Sequence, residues 1–159
     1  MENTDKTLLV TGATGRQGGA VIRHMLGKGW KLRALTRSSN APAAQELTRQ
    51  GVEVVQGDLE DPASLECATR GVHGAYSVQD FWSVGAKREV AQGKNLAEAA
   101  KKAGVEHFVY SSVGGVERNS GIDHWGEQVG DREAYSQARL ASHNAQAGCF
   151  HGELLHRSG

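Results

Sequence analysis

Residues 11–18 read Thr-Gly-Ala-Thr-Gly-Arg-Gln-Gly, so that two residues separate each glycine from the next. An apolar run over residues 6–11 ends at this turn, and apolar residues recur at helical spacing over residues 17–28. Glycine has no Cβ and therefore permits a tight turn and a close approach of helix to strand. The stretch predicts a buried parallel strand, a glycine turn and an amphipathic helix.

The alternation of strand and helix continues along the chain from this turn. Further strands are predicted over residues 31–37, 52–56, 75–79 and 105–112, and helices over residues 42–51, 62–70 and 87–103. Asp61-Pro62 is typical of a helix start, with an N-cap carboxylate followed by proline in the first turn. The pattern predicts an α/β fold of Rossmann type: a doubly wound parallel sheet with strand order 3-2-1-4-5.

Composition excludes several classes of function. The chain has 159 residues, with 18 basic and 18 acidic side chains, and this balance argues against direct nucleic-acid binding. No apolar run is long enough to span a membrane and no leader segment is evident, so we expect a cytoplasmic protein. His143, His151 and His156 lack the regular spacing of metal ligands, and no metal site is predicted.

The glycine turn predicts a dinucleotide site. Free backbone N–H groups and the positive end of the helix attract a phosphate at such a junction. An acidic residue that would bind an unphosphorylated ribose is expected at the end of the second strand, and Arg37 stands there instead. A guanidinium pairs with the 2′-phosphate of NADP, so NADP(H) is predicted as the cofactor, with weaker binding of NAD(H). The alternative is that Arg37 is an ordinary surface arginine.

Two other strand ends lie where ligands of open α/β sheets bind. Asp58-Leu59 follows the third strand and is expected to border the adenine. Gln79-Asp80-Phe81 follows the fourth strand, on the nicotinamide side. The polarity of either segment is also compatible with an ordinary loop.

Several stretches together resemble the NmrA-like family of atypical short-chain dehydrogenases/reductases. The resemblance lies in residues 10–21 (VTGATGRQGGAV), 54–59 (VVQGDL), 89–113 (EVAQGKNLAEAAKKAGVEHFVYSSV) and 114–125 (GGVERNSGIDHW). It implies NADP(H) binding by the glycine turn, Arg37 and both strand-end segments. Ser111 falls where the superfamily often has an active-site serine, although a purely structural hydroxyl is an equal alternative. The predicted cofactor-binding residues are Gly12, Ala13, Thr14, Gly15, Arg16, Gln17, Gly18, Arg37, Asp58, Leu59, Gln79, Asp80, Phe81 and Ser111.

The family resemblance leaves two function classes open. One is a redox-sensing regulator that binds the dinucleotide and a regulatory protein partner without turnover. The other is an NAD(P)H-dependent reductase of quinone-like or phenolic substrates. A standard reductase has a Tyr-x-x-x-Lys pair, and Tyr76, Tyr110 and Tyr135 all lack a lysine four residues later. The regulator is therefore favoured, no catalytic residue is assigned, and the oligomeric state stays open.

The chain departs from the family pattern after residue 125. Residues 127–136 and 142–153 can be back-translated into codons that, when read from their second base, permit segments similar to the family's next helix and strand. We therefore predict a change of reading frame near residue 126. Residues 1–125 would then form the N-terminal part of the NAD(P)-binding domain, with the C-terminal part of the fold incomplete, and residues 126–159 would be a disordered tail. The fifth strand would lie at an edge of the sheet, and a non-functional fragment is the alternative to both function classes.

Overall fold

The computed structural model describes residues 5–113 and 142–147. Strands and helices alternate along most of this part of the chain. The strands are β1 (Thr7–Val10), β2 (Lys31–Thr36), β3 (Glu53–Gln56), β4 (Gly74–Ser77), β5 (His107–Val113) and β6 (Ser142–Ala147). The helices are α1 (Arg16–Met25), α2 (Pro42–Arg49), α3 (Pro62–Thr69), the short α4 (Phe81–Val84) and α5 (Ala86–Lys102).

The strands form one parallel sheet in the order β3-β2-β1-β4-β5-β6. The predicted order 3-2-1-4-5 is confirmed. The direction of connection reverses at β1, which pairs with β2 on one side and β4 on the other. Open α/β sheets bind ligands at such a switch point, beyond the carboxyl ends of the strands.

Apolar side chains of the sheet pack against helices on both faces. On one face, Leu9 and Phe108 are fully buried with residues of α3 and α5, including Leu65 and Leu96. On the other face, Val10 and its neighbours pack against α1 and α2. Two covered faces account for the nearly continuous apolar character of the central strands.

Strand β6 is the principal difference from the sequence prediction. It pairs with β5 from Phe108↔Ser142 to Val113↔Ala147, so the prediction that β5 would be an edge is wrong. The sequence Ser-His-Asn-Ala-Gln-Ala has no β-branched or aromatic residue, and propensity alone does not predict a strand there. Backbone hydrogen bonding to an open parallel edge requires neither residue type. Residues 126–141 and 148–159, the rest of the predicted tail, lie outside the described part.

Several element bounds near the candidate site residues differ slightly from the sequence prediction. Strand β4 ends at Ser77, so Gln79 lies in the following loop, and Phe81 begins a helix that the sequence did not predict. The predicted start of α3 is confirmed, because Asp61 Oδ1 accepts a hydrogen bond of 3.1 Å from the N–H of Ala63. Within residues 5–113, no helix is both long and apolar enough to cross a bilayer.

Candidate functional site

The glycine turn closes directly onto the start of α1. Gly12 has a φ of +57°, a conformation that favours glycine, and its carbonyl accepts a hydrogen bond of 2.9 Å from the N–H of Gly15. A Cβ at Gly18 would lie 2.3 Å from the carbonyl oxygen of Gly12. The third glycine therefore permits the contact between helix and turn, as its position in the sequence predicts.

The start of α1 leaves backbone donors available. Gly15 is the N-cap and provides no side-chain hydrogen bond, and the first turn of the helix contains no acidic residue. The N–H groups of a first helical turn have no partner within their own helix. Thr14, Gly15 and Arg16 are exposed around this opening, whereas the Ala13 side chain is buried and leaves only its backbone to face a ligand. The turn can therefore accept an anionic group.

Thr11 joins the ends of β1 and β4. Its side chain is 1% exposed, donates to the carbonyl of Val78 at 3.0 Å and accepts from the N–H of Val78 at 2.9 Å. A Cβ at Gly12 would lie 2.8 Å from Val78 Cγ1, so the two loops are also in close contact. The Thr11–Val78 link holds the glycine turn against the loop that carries Gln79 and Asp80.

Replacing Thr11 with valine should destabilise this junction. Valine has a similar shape but leaves the partly buried N–H of Val78 without its partner, at a cost of ~1–3 kcal/mol in the free energy of unfolding. Urea denaturation measures the effect. Thr48→Val is the matched control, because the hydroxyl of the exposed Thr48 donates to the Ala44 carbonyl within its own helix α2. We expect a change below ~0.5 kcal/mol there. Equal losses in both variants would contradict the proposed role of Thr11.

Arg37 lines a pocket beyond the ends of β2 and β3. The pocket has a volume of about 280 Å³ and is formed by Arg37, Gln56, Gly57, Asp58, Asp61 and Ser64. The carboxylates already accept local hydrogen bonds: Asp58 Oδ1 from the N–H of Glu60 at 2.9 Å, and Asp61 Oδ1 from α3. No ion pair within the described ranges includes Arg37. Its guanidinium can therefore pair with a ligand anion.

Side chains of α5 form hydrogen bonds with the loop after β3, and the sequence did not predict these contacts. Glu60 Oε1 accepts hydrogen bonds from Arg88 at 2.6 Å and Gln92 at 2.9 Å, and the Leu59 carbonyl accepts one from Asn95 at 2.9 Å. The Arg88 hydrogen bond, followed by that of Gln92, lowers the pKa of Glu60. The Leu59 side chain packs against the core on the α3–α5 face. Leu59 can therefore meet a ligand chiefly through its backbone.

The segment after β4 lies beside the glycine turn. Gln79 Nε2 donates to Ser77 Oγ at 2.7 Å, while the buried Gln79 Oε1 has no hydrogen-bond partner among the described residues. Asp80, which directly precedes α4, accepts a hydrogen bond from the hydroxyl of Ser83 within that helix. Phe81 lies in α4, and its side chain is outside the described part. The lone Gln79 oxygen leaves a polar acceptor for a ligand at this strand end.

Gln17 connects α1 to β4 and β5. Its Oε1 accepts a hydrogen bond of 2.5 Å from Ser111 Oγ and one of 3.2 Å from the Tyr76 hydroxyl. Burial raises the pKa of Tyr76, and its hydrogen bond with Ser111 opposes that change. The structure thus brings the predicted residues Gln17 and Ser111 together. Tyr76 was missed, although its position next to Ala75 in a predicted strand places it on the opposite face, towards α1.

The chain is similar in sequence to a known protein family and to its members. The NmrA-like family pattern matches residues 4–154. An NmrA-like family domain-containing oxidoreductase of Aspergillus hancockii is 38% identical over 117 residues, which cover 70% of this chain and 35% of the relative. The chain therefore spans about a third of the length of this curated relative.

Solved structures are similar across most of the chain. NmrA, a negative transcriptional regulator, in complex with NADP has a TM-score of 0.77 at 29% identity, covering 89% of this chain and 44% of that one. NmrA has also been solved in complex with NAD. The triphenylmethane reductase of Citrobacter sp., complexed with NADP(H), has a TM-score of 0.75 at 28% identity, with coverages of 89% and 48%.

Proposed function

Because the chain belongs to the NmrA-like family, we propose that it is an NADP(H)-binding regulator that senses redox state without turnover. The observation that carries the cofactor proposal is Arg37, which lines a pocket beyond β2 and makes no ion pair in the described ranges. A planar guanidinium there suits the phosphate that distinguishes NADP from NAD. The NADP complexes of NmrA and of the triphenylmethane reductase support the same assignment.

The residues present fit a dinucleotide. The uncapped start of α1 and the Gly12–Gly15 turn would hold the pyrophosphate, and the Asp58-Leu59 backbone would border the adenine. Gln79, Asp80, Phe81 and Ser111 would lie on the nicotinamide side, where Gln79 Oε1 offers an acceptor. A bound NADPH supplies hydride chemistry at its nicotinamide ring.

The regulator is favoured because no tyrosine in the described part of the chain is followed by a lysine four residues later. Tyr76 has a raised pKa and therefore stays protonated at neutral pH, and the fourth residue after it is Asp80 rather than lysine. General acids work best when their pKa is near the working pH. Tyr110 is 1% exposed, with its side chain in the core between the sheet and α5. As a regulator, the chain would also bind a regulatory protein partner.

A reductase is the second candidate function. The hydroxyl groups of Ser111 and Tyr76 meet at Gln17, beside the strand ends where a nicotinamide would lie. A triphenylmethane reductase and a curated oxidoreductase are among the similar proteins. In this alternative, Ser111 would orient a quinone-like or phenolic substrate.

Calorimetry and a turnover assay together test the proposed function. We expect NADPH to bind about tenfold or more tightly than NADH, a difference of ~1.4 kcal/mol or more. We also expect no acceptor-dependent oxidation of NADPH with a quinone. Equal affinity for the two dinucleotides would remove the Arg37 argument. Turnover with the quinone would contradict the regulator proposal and support the reductase.

The reading-frame hypothesis concerns residues 126–159 and leads to a third candidate, a non-functional fragment. The nucleotide sequence across codons 124–130, read in all frames, tests it directly. A shifted frame that continues the family pattern would support the fragment. An unshifted frame shared by independent transcripts, together with NADPH binding by this chain, would contradict it.

A further inference from the structure

Two histidines and a glutamate lie close together at the amino ends of β4 and β5, whereas the candidate dinucleotide site lies at the carboxyl ends of the strands. His73 directly precedes β4, and Glu106 and His107 lie at the start of β5. One donor atom from each side chain lies within 4.8 Å of the others. Strand β4 has four residues, so this cluster is separated from the carboxyl ends of the strands by ~13 Å. We propose that His73, Glu106 and His107 bind a divalent transition metal ion of the zinc class.

The backbone fixes the three residues relative to one another. The carbonyl of His73 accepts hydrogen bonds from the N–H groups of Glu106, at 3.0 Å, and His107, at 3.2 Å. The N–H of His73 in turn donates to the Thr7 carbonyl at 2.9 Å. The His73 ring stacks on Trp30, with centroids 6.0 Å apart. The site is therefore built on sheet pairing and not on a loose loop, which reduces the entropy lost when an ion is bound.

Two separations are close to those around a tetrahedral ion, and the other donor atoms, within 4.8 Å, would need to move inwards to bind it. Zinc bonds of about 2.0–2.1 Å place neighbouring donor atoms ~3.3 Å apart and the centroids of two imidazole ligands ~5 Å apart. His73 Nδ1 lies 3.4 Å from Glu106 Oε1, and the centroids of the two histidine rings are 5.1 Å apart at 65°. Two imidazoles and one carboxylate are a donor set that zinc accepts, with a fourth position for water.

Accessibility also fits a site that takes up its ion from solvent. The His73 side chain is 11% exposed, whereas that of Glu106 is 70% exposed and His107 lies at the surface. An ion would join the starts of β4 and β5, which already pair at Gly74↔His107. Such an ion stabilises the folded chain, because the ligands come together only when the sheet has formed.

Zinc binding to the full chain, after removal of bound metal with a chelator, tests the proposal. We expect zinc chloride to raise the thermal midpoint and Co²⁺ to give the visible absorption of a tetrahedral site. His107→Gln and Glu106→Gln should each weaken the affinity about tenfold or more, because each removes one of three ligands. His24→Gln, an exposed histidine on α1, is the matched control and should leave binding unchanged.

Two results would overturn the proposal. One is zinc binding of unchanged affinity in both His107→Gln and Glu106→Gln, which would place the ion elsewhere on the chain. The other is a cobalt spectrum with no tetrahedral component in the unaltered protein. NADPH binding is measured in the same variants, because it depends on the carboxyl ends of the strands. A variant that loses zinc but keeps NADPH is folded and has lost only the ion site.

Discussion

Gly15→Val should reduce the affinity for NADP(H) and NAD(H) alike by at least about 100-fold, or ~2.7 kcal/mol. Gly15 is exposed at the rim of the glycine turn, and its φ of −93° is accessible to any residue. A Cβ there lies 3.2 Å from the Gly12 carbonyl oxygen, a tight contact that a small shift relieves. The branched side chain would therefore obstruct the approach of the pyrophosphate while the chain still folds.

Calorimetric titration with each dinucleotide measures the effect of Gly15→Val. Circular dichroism and thermal unfolding establish whether the variant is folded. Lys101→Val is the matched control, because it places the same side chain on an exposed position of another helix, α5. Dinucleotide binding that persists in folded Gly15→Val would show that the binding site lies elsewhere.

Arg37→Asp should reverse the cofactor preference. Loss of the guanidinium removes a charge-assisted contact with the 2′-phosphate, and the new carboxylate repels that group. We expect NADPH binding to weaken by ~1.5–3 kcal/mol, about 10- to 150-fold, while NADH binding is unchanged or tighter. The titrations are those used for Gly15→Val.

Arg70→Asp separates the local effect of Arg37 from the change in net charge. It makes the same two-unit change of charge at an exposed position at the C-terminal end of α3. Any loss of affinity that it causes should be small and should disappear as the salt concentration rises. Parallel losses for NADPH and NADH in Arg37→Asp would contradict a specific contact with the 2′-phosphate.

Local chemistry explains which parts of the fold were predictable. Asp61-Pro62 marks the start of α3 because its capping hydrogen bond lies within three residues. The glycine turn is equally local, since the positive φ of Gly12 and the close packing of Gly18 depend on neighbouring backbone. Strand β6 was not predictable in this way, because its polar sequence pairs with an edge supplied by β5.

In the candidate site, too, features that depend on local sequence were predicted, and contacts between distant segments were not. Arg37 and Gln79 were identified because they follow strands, and parallel strands bring their carboxyl ends to one edge. The contact of Gln17 with Tyr76 and Ser111 depends on the side-by-side packing of α1, β4 and β5. The bracing of Glu60 by α5 likewise joins distant parts of the chain. Sequence spacing carries no direct signal for such contacts.

The central position of β1 has a consequence for synthesis on the ribosome. β1 pairs with β2 on one side, whereas its other neighbour, β4, is translated about 40 residues after β2. During that interval the nascent chain presents an unpaired parallel edge, a feature that invites association between chains or binding by a chaperone. Thr11 also finds its partner only when Val78 arrives. A ribosome stalled before β4 should therefore display a chain with no competent dinucleotide site.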